Sequence, residues 1–339
     1  MPDVSSLRAA LLDWYDAHAR SLPWRAPPGS ATRTDPYRVW LSEVMLQQTT
    51  VPHAAPYFER FTTRWPTVSD LAAVEDGDLM AAWAGLGYYA RARNLLACAR
   101  AVARDHGGVF PDQEASLLAL PGVGAYTAAA VAAIAFDRPA NVVDGNVERV
   151  MSRLFAVETP LPAARPELKR LAALFVSGDR PGDWPQALMD LGSGVCRPKS
   201  PSCDLCPLAF GCEALKTGEP GRYPLKAKKA ERPHRLGHAF VLRDARGRIG
   251  LVRRPEKGLL GGMVGLPTSD WSASPAFQPP VAADWTQAGA VDHVFTHFTL
   301  TLTVHAGVGE GDFLWMDAQE ALAALPTVFK KTLERGLAI

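Results

Sequence analysis

The sequence predicts a multidomain protein, an all-α domain over residues 1–215 followed by an α+β domain over 236–339. Three observations predict this. Apolar residues recur at helical spacing through the first part, whereas the segments beyond residue 236 alternate or are β-rich between Gly and Pro turns. Residues 216–235 lie between them, basic, Pro- and Gly-containing and without apolar periodicity, and read as a linker. A chain of 339 residues, 47% hydrophobic and 21% charged, is also long enough for two or three cores. No apolar run is long enough to span a bilayer. The N-terminus lacks the basic start and continuous apolar core of a signal peptide, so a cytoplasmic location is expected.

Taken in order, residues 1–20 read as an amphipathic helix with Leu7, Leu11, Trp14 and Tyr15 on one side and Ser5 or Ser6 as N-cap. A Pro/Gly-rich loop runs to Pro36, and a helix follows from Tyr37 to Thr50. Glu43 sits inside that helix with Trp40 and Leu46 on its face. Helical patterning continues to Phe61 and again over 69–84, breaks at Gly85-Leu86-Gly87, and resumes over 90–106 before Gly107-Gly108. Glu114 to Leu120, the turn Pro121-Gly122-Val123-Gly124, and an alanine-rich run to Phe136 make a helix–hairpin–helix, whose exposed backbone N–H groups an anion can approach. Val147, Val150, Met151 and Leu154 then mark a helix with Asp144 before it, and helices are expected over 165–177 and 184–195. Beyond the linker, Ala239–Leu242, Ile249–Arg253 and Thr299–His305 read as strands, and 314–325 as a strand and a short helix.

Two carboxylates stand out. Glu43 lies on a largely apolar helix face, where desolvation would keep it protonated. Asp144 precedes a helix, where an N-cap position keeps a carboxylate ionised. One protonated and one ionised carboxylate is the division of labour that glycosidic-bond cleavage needs. Cys196, Cys203, Cys206 and Cys212 are spaced C-x6-C-x2-C-x5-C, which by ligands alone fits zinc or an iron–sulfur cubane. Cys98 has the spacing of a buried core thiol. A net charge of +1 means that any phosphate contact comes from local patches and backbone amides. Arg197 and Lys199, in the first cysteine loop, could make such contacts.

The hairpin, the downstream Asp144 and the four cysteines resemble the endonuclease III superfamily of DNA glycosylases. Pro23-Trp24-Arg25, the Glu43–Thr49 segment, Gly85–Asn94 and Val143–Val147 resemble its MutY branch. The resemblance implies a six-helix barrel over about 23–138, a cluster subdomain from 1–22 and 139–215, and a [4Fe–4S] cluster on the four cysteines. It also implies excision, by a monomer, of adenine paired with 8-oxoguanine or guanine in double-stranded DNA. Relatives that also cleave the strand carry a lysine nucleophile where this chain has Tyr126, and a phenol cannot form a Schiff base. A monofunctional enzyme is expected; the alternative is an endonuclease III-like glycosylase and lyase for oxidised pyrimidines.

On this resemblance Glu43 protonates the leaving base and Asp144 stabilises or traps the sugar cation, while Tyr126 and Asn146 orient Asp144 and the ring. Trp24, Arg25, Leu46 and Gln186 are implied in the adenine pocket, and Gln48 and Tyr88 in insertion into the duplex. The C-terminal domain resembles a Nudix fold, but Thr268–Pro275 holds no glutamate for divalent metal, so nucleotide hydrolysis is not expected. Phe295-Thr296-His297 resembles the loop that reads 8-oxoguanine, with Thr for Ser; without that resemblance Val294–Leu302 reads as one strand.

Overall fold

The computed structural model describes residues 3–30, 32–227, 232–255 and 259–339 and divides the chain into two compact units, Met1–Ala227 and Lys228–Ile339. The first unit is helical: α1 (Val4–His18), α2 (Pro36–Leu46), α3 (Val51–Arg64), α4 (Val68–Ala72), α5 (Asp76–Trp83), α6 (Tyr89–Asp105), α7 (Glu114–Leu118), α8 (Ala125–Phe136), α9 (Gly145–Leu154), α10 (Arg165–Ala173), α11 (Asp183–Gly194) and α12 (Glu213–Lys216). Short 3-10 turns at Cys203–Leu205 and Ala209–Gly211 carry three of the cysteines or end beside them. No helix among the described residues is long and apolar enough to cross a membrane.

This unit buries two main cores. One gathers Trp40, Phe58, Phe61, Trp83 and Leu95 from α2 to α8; the other gathers Leu7, Leu11 and Tyr15 of α1 with Val147, Met151, Leu168 and Leu188. A small cluster of Ala129, Ala130, Ala133, Val142 and Met189 packs beside α8. The alanines let α8 approach its neighbours closely, because a methyl is all that separates the backbones.

Local chemistry moved several boundaries. Asp3, not Ser5 or Ser6, caps α1, accepting from both of their amides. The 69–84 region is two helices, because Thr67 and Asp70 form a capping box for a short α4 that ends at Ala72. Helix α2 stops at Leu46, since Gln48 takes a left-handed backbone (φ 59°) that a helix cannot continue through. The expected linker is not free along its length. The Tyr223 ring is buried and its hydroxyl donates to Glu158, while Leu225 and Ala227 exchange backbone hydrogen bonds with Leu161. Basic residues 228 and 229 of that stretch lie outside the described residues.

The second unit is a mixed sheet of β1 (His234–Arg243), β2 (Ile249–Arg253), β3 (Val264–Gly265), β4 (Thr286–Val294), β5 (Thr299–Val308) and β6 (Leu314–Met316), with α13 (Ala318–Ala324) and α14 (Thr327–Gly336). The order is β3-β2-β1-β5-β4, with β6 also on β2; β1 and β5 are parallel and the other pairs antiparallel. Phe329 and Leu333 of α14 pack into the core with Val241, Leu251 and Leu302. Val294–Leu302 is not one strand. The Phe295 amide donates to the Phe298 carbonyl and closes a turn between β4 and β5, with Thr296 and His297 exposed at its tip.

Candidate active site

Helix α2 starts at a Pro N1 residue behind the Asp35 cap and is buried on nearly all sides from Tyr37 to Met45. Its position between α3 and α8 leaves Glu43 only 8% exposed. The Tyr126 hydroxyl of α8 donates to Glu43 Oε2 at 2.8 Å. Burial pushes the Glu43 carboxyl up to about 7, the Tyr126 hydrogen bond opposes it, and the nearby Asp144 charge adds to the rise. The group is thus poised to give or take a proton near neutral pH.

Asp144 caps α9 from an extended backbone. Its Oδ1 accepts from the Val147 amide at 2.7 Å and its Oδ2 from Asn146 Nδ2 at 2.8 Å. Asn146 is itself held, since Arg149 Nη2 donates to its Oδ1 at 2.9 Å and to the Gly192 carbonyl at 2.6 Å. Arg149 Nε reaches the Cys196 carbonyl at 2.8 Å, so a continuous set of hydrogen bonds joins the cysteine loop to the Asp144 carboxylate. Gly192 is required here: a Cβ would stand 2.6 Å from that of Asn146.

Glu43, Tyr126, Asp144 and Asn146 line one cavity of about 850 Å3, together with Trp24, Arg25, Leu46, Gln48 and Gln186. All the residues expected at the reacting centre and around the base therefore meet, although they come from α2, α8, α9, α11 and two loops. One expected role is corrected. Tyr126 donates to Glu43, and Asn146 alone of the pair binds Asp144. Arg25 faces the cavity but its guanidinium is bound by both oxygens of Asp190 at 2.8 Å. Gln186 donates to the Gly182 carbonyl and keeps a buried Oε1 without a partner.

The cysteines are thiols, without disulfides. Burial pushes the Cys206 thiol up to about 12, with the Leu208 amide opposing and the other three cysteines adding. Arg153, 2% exposed, donates to Cys196 Sγ at 3.3 Å and to the carbonyls of Cys196, Arg197 and Pro198, fixing the loop from beneath. Among the described residues no three His, Cys, Asp or Glu side chains lie close enough to hold a single metal ion.

Residues 41–173 match the HhH-GPD superfamily of base excision DNA repair proteins, and 238–335 match a NUDIX domain. The adenine DNA glycosylase of Homo sapiens is 34% identical over 97% of this chain and 73% of its own length. The chain belongs to the adenine DNA glycosylase family. The family's Mycolicibacterium smegmatis member is 41% identical over 62% of this chain and 70% of its own. The Arabidopsis thaliana member is 39% identical over 78% of this chain, which spans 48% of that relative's length. Among solved structures, a thermostable thymine-DNA glycosylase superposes with a TM-score of 0.57 at 30% identity, over 63% of this chain and 97% of that one. A trapped endonuclease III–DNA covalent intermediate shares the fold at a TM-score of 0.53 and 24% identity, over 64% and 99%.

The remaining residues expected to touch DNA lie outside the cavity. Gly122 has φ 70°, and a Cβ there would stand 2.6 Å from that of Asn94, so α6 approaches the hairpin closely. The hairpin's Gly124 caps α8 with no side-chain partner for the helix's first amides, and Pro121, Gly122 and Gly124 are exposed while Val123 is buried. Tyr88 is 64% exposed and left-handed (φ 50°), as Gln48 is. Such backbone costs non-glycine residues roughly 1–3 kcal/mol and collects at ligand clamps. Lys199 is exposed, whereas the Arg197 guanidinium is partly spent within its own loop on the Ser200 carbonyl and Ser202 hydroxyl. Phe295 stacks on Trp271 with ring centroids 5.8 Å apart, beneath the exposed Thr296 and His297. The segment 267–285 that follows β3, where glutamates are missing, contains no helix.

Sequence reasoning missed Asp190, Arg149 and Arg153. Asp190 had a local signal, a single carboxylate in the apolar run Leu188-Met189-Asp190-Leu191. Arg149 and Arg153 stand four apart on α9, which says only that they share a face.

The Tyr126 hydrogen bond gives a signed prediction. It favours the Glu43 carboxylate, so Tyr126→Phe raises the Glu43 pKa. A rate that needs protonated Glu43 falls as pH passes that pKa, and the falling limb of the pH–rate profile should move up by about one unit. Single-turnover base release from pH 6 to 9 checks this, and an unmoved limb rejects the assignment.

Proposed function

We propose that this chain excises adenine paired with 8-oxoguanine or guanine in double-stranded DNA, leaving an abasic site without cutting the strand. The observation that carries the reading is a protonatable Glu43 sharing one cavity with a held Asp144 carboxylate, with Tyr126 where a lyase needs an amine. The adenine is flipped out of the stack into the cavity. Glu43 gives its proton to N7 of the base, the bond from C1′ to N9 breaks, and its electron pair leaves with adenine. The developing sugar cation meets the Asp144 carboxylate, which stabilises it or bonds to C1′. Ionised Glu43 then takes a proton from the incoming water, whose oxygen attacks C1′; where Asp144 has bonded to C1′, that ester bond breaks and its electron pair returns to the carboxylate.

The partnerless Gln186 Oε1 suits the exocyclic amine of adenine, because an unmet buried acceptor gains a full hydrogen bond there. The strained Gln48 and Tyr88 suit insertion into the duplex that the flipped base leaves. The exposed Thr296 hydroxyl supports lesion reading by the β4–β5 turn. Four free thiols on one loop, backed by Arg153, fit a [4Fe–4S] cluster on Cys196, Cys203, Cys206 and Cys212. When bound, it would cross-link the loop that Arg149 ties to Asn146.

The test is incubation with duplexes holding A opposite 8-oxoguanine, G, C or T. Alkali-dependent cleavage at A opposite the first two is expected, and borohydride should trap no cross-linked complex. Efficient trapping, or release of oxidised pyrimidines in preference to adenine, would favour the lyase reading.

A further inference from the structure

We propose that Arg91 is a positioning residue that locks the Gln48 turn and the Tyr88 turn into one rigid unit, so that Gln48 and Tyr88 enter a duplex together. The first turn follows α2, the second precedes α6, and each carries a left-handed residue. Arg91 stands on the first turn of α6 with only 9% of its surface exposed. Its Nη1 donates to the Val44 and Met45 carbonyls at 3.0 and 3.2 Å, among the last carbonyls of α2, which the helix itself leaves without partners. Its Nη2 donates to the Leu86 and Gly87 carbonyls at 3.1 and 3.4 Å and to Thr49 Oγ1 at 3.4 Å.

The guanidinium also lies 5.4 Å from the Trp83 ring and 5.5 Å from the Tyr88 ring. Other side chains hold the second turn alone. Tyr57 and His53 of α3 bind the Ala84 and Gly85 carbonyls at 2.8 and 3.1 Å, and Trp83 Nε1 donates to the Gly87 carbonyl at 3.0 Å. Among the described residues Arg91 is the one side chain hydrogen-bonded to both turns. The two Nη groups diverge from one rigid carbon, so a shift of either turn strains the bonds to the other; a lysine ammonium is a point donor and cannot span them in this way. Opening one turn would leave a buried cation short of acceptors, which disfavours opening them singly. Coupling of the turns needs no DNA, whereas its use as a wedge rests on the DNA reading above.

The full chain is compared with Arg91→Lys, which keeps the charge and loses the fork. Thr49 and Leu86 report on the turns, because their amides are bonded within them, to the Leu46 and Trp83 carbonyls. In the wild type, hydrogen exchange of peptides containing Thr49 and Leu86 should show one shared opening, with the same protection and the same dependence on denaturant. In Arg91→Lys both should exchange about tenfold faster, and single-turnover release of adenine opposite 8-oxoguanine should fall about tenfold. That loss should shrink below about threefold in a Gln48→Ala, Tyr88→Ala background, because a residue acting through others adds little once they are gone, whereas a merely structural effect multiplies. Independent opening of the two turns in the wild type, or loosening of one turn or neither in Arg91→Lys, overturns the coupling; the wild-type measurement decides the matter even if the variant fails to fold. Release at the wild-type rate, or losses that multiply, overturns the wedge role. If the wild type releases no adenine, the glycosylase reading fails there and the exchange readouts still stand.

Discussion

Glu43→Gln is expected to slow adenine release by about 10²–10⁴-fold, the range a positioned general acid supplies, while lesion-duplex binding persists. The amide keeps the volume and an acceptor for the Tyr126 hydroxyl, so the cavity stays formed, but it has no proton to give at neutral pH. The same variant should be more stable than the wild type in alkali. The Glu43 carboxyl is at about 7 in the fold against an ordinary 4.5, so the folded state binds the extra proton between those values. Stability from this group therefore falls as pH rises through that window, and the buried carboxylate costs on the order of 1–3 kcal/mol above it. Melting at pH 8 should favour Glu43→Gln, and melting at pH 4 should show no such gain. A variant that releases adenine within tenfold of the wild-type rate would remove Glu43 from the mechanism.

Asp144→Asn is expected to cost about a thousandfold in base release with little change in melting temperature. Asparagine caps helices about as well as aspartate, so the bond from the Val147 amide survives and α9 keeps its start. The lost item is the negative charge facing the sugar cation, and removing one fixed electrostatic partner of a transition state costs about 10²–10³. Duplex affinity should hold or rise slightly, because a carboxylate no longer repels the phosphates. Single-turnover rates beside anisotropy binding check both halves. Parallel loss of binding and melting temperature would show that Asp144 matters as a cap, not as a charge.

How much of this was legible depended on whether a feature is local. The Val147, Val150, Met151, Leu154 stripe gave α9 because helical burial repeats every three to four residues along the chain. Strand β4 and helix α14 were not read, since only Val291 of Thr286–Val294 is buried and Gly289 interrupts the strand, and α14 follows α13 after only Leu325 and Pro326. Residues 216–235 read as linker because their apolar periodicity is absent; what ties down the stretch from Tyr223 to Ala227 is one buried tyrosine and pairing with Leu161.

The amino-acid sequence determined the chemical inventory: two carboxylates in the right local settings, four cysteines at ligand spacing, and a phenol where a lyase needs an amine. Residue type and short-range spacing carry those facts. Only the tertiary structure decided that Glu43 is buried enough to hold its proton near neutral pH, and that Tyr126 serves Glu43 and not Asp144. It alone tied Asp144 through Asn146 and Arg149 to the cysteine loop. Those outcomes arise from desolvation and hydrogen bonds between segments far apart in the chain, and no periodicity along a helix encodes which distant helix will pack against it.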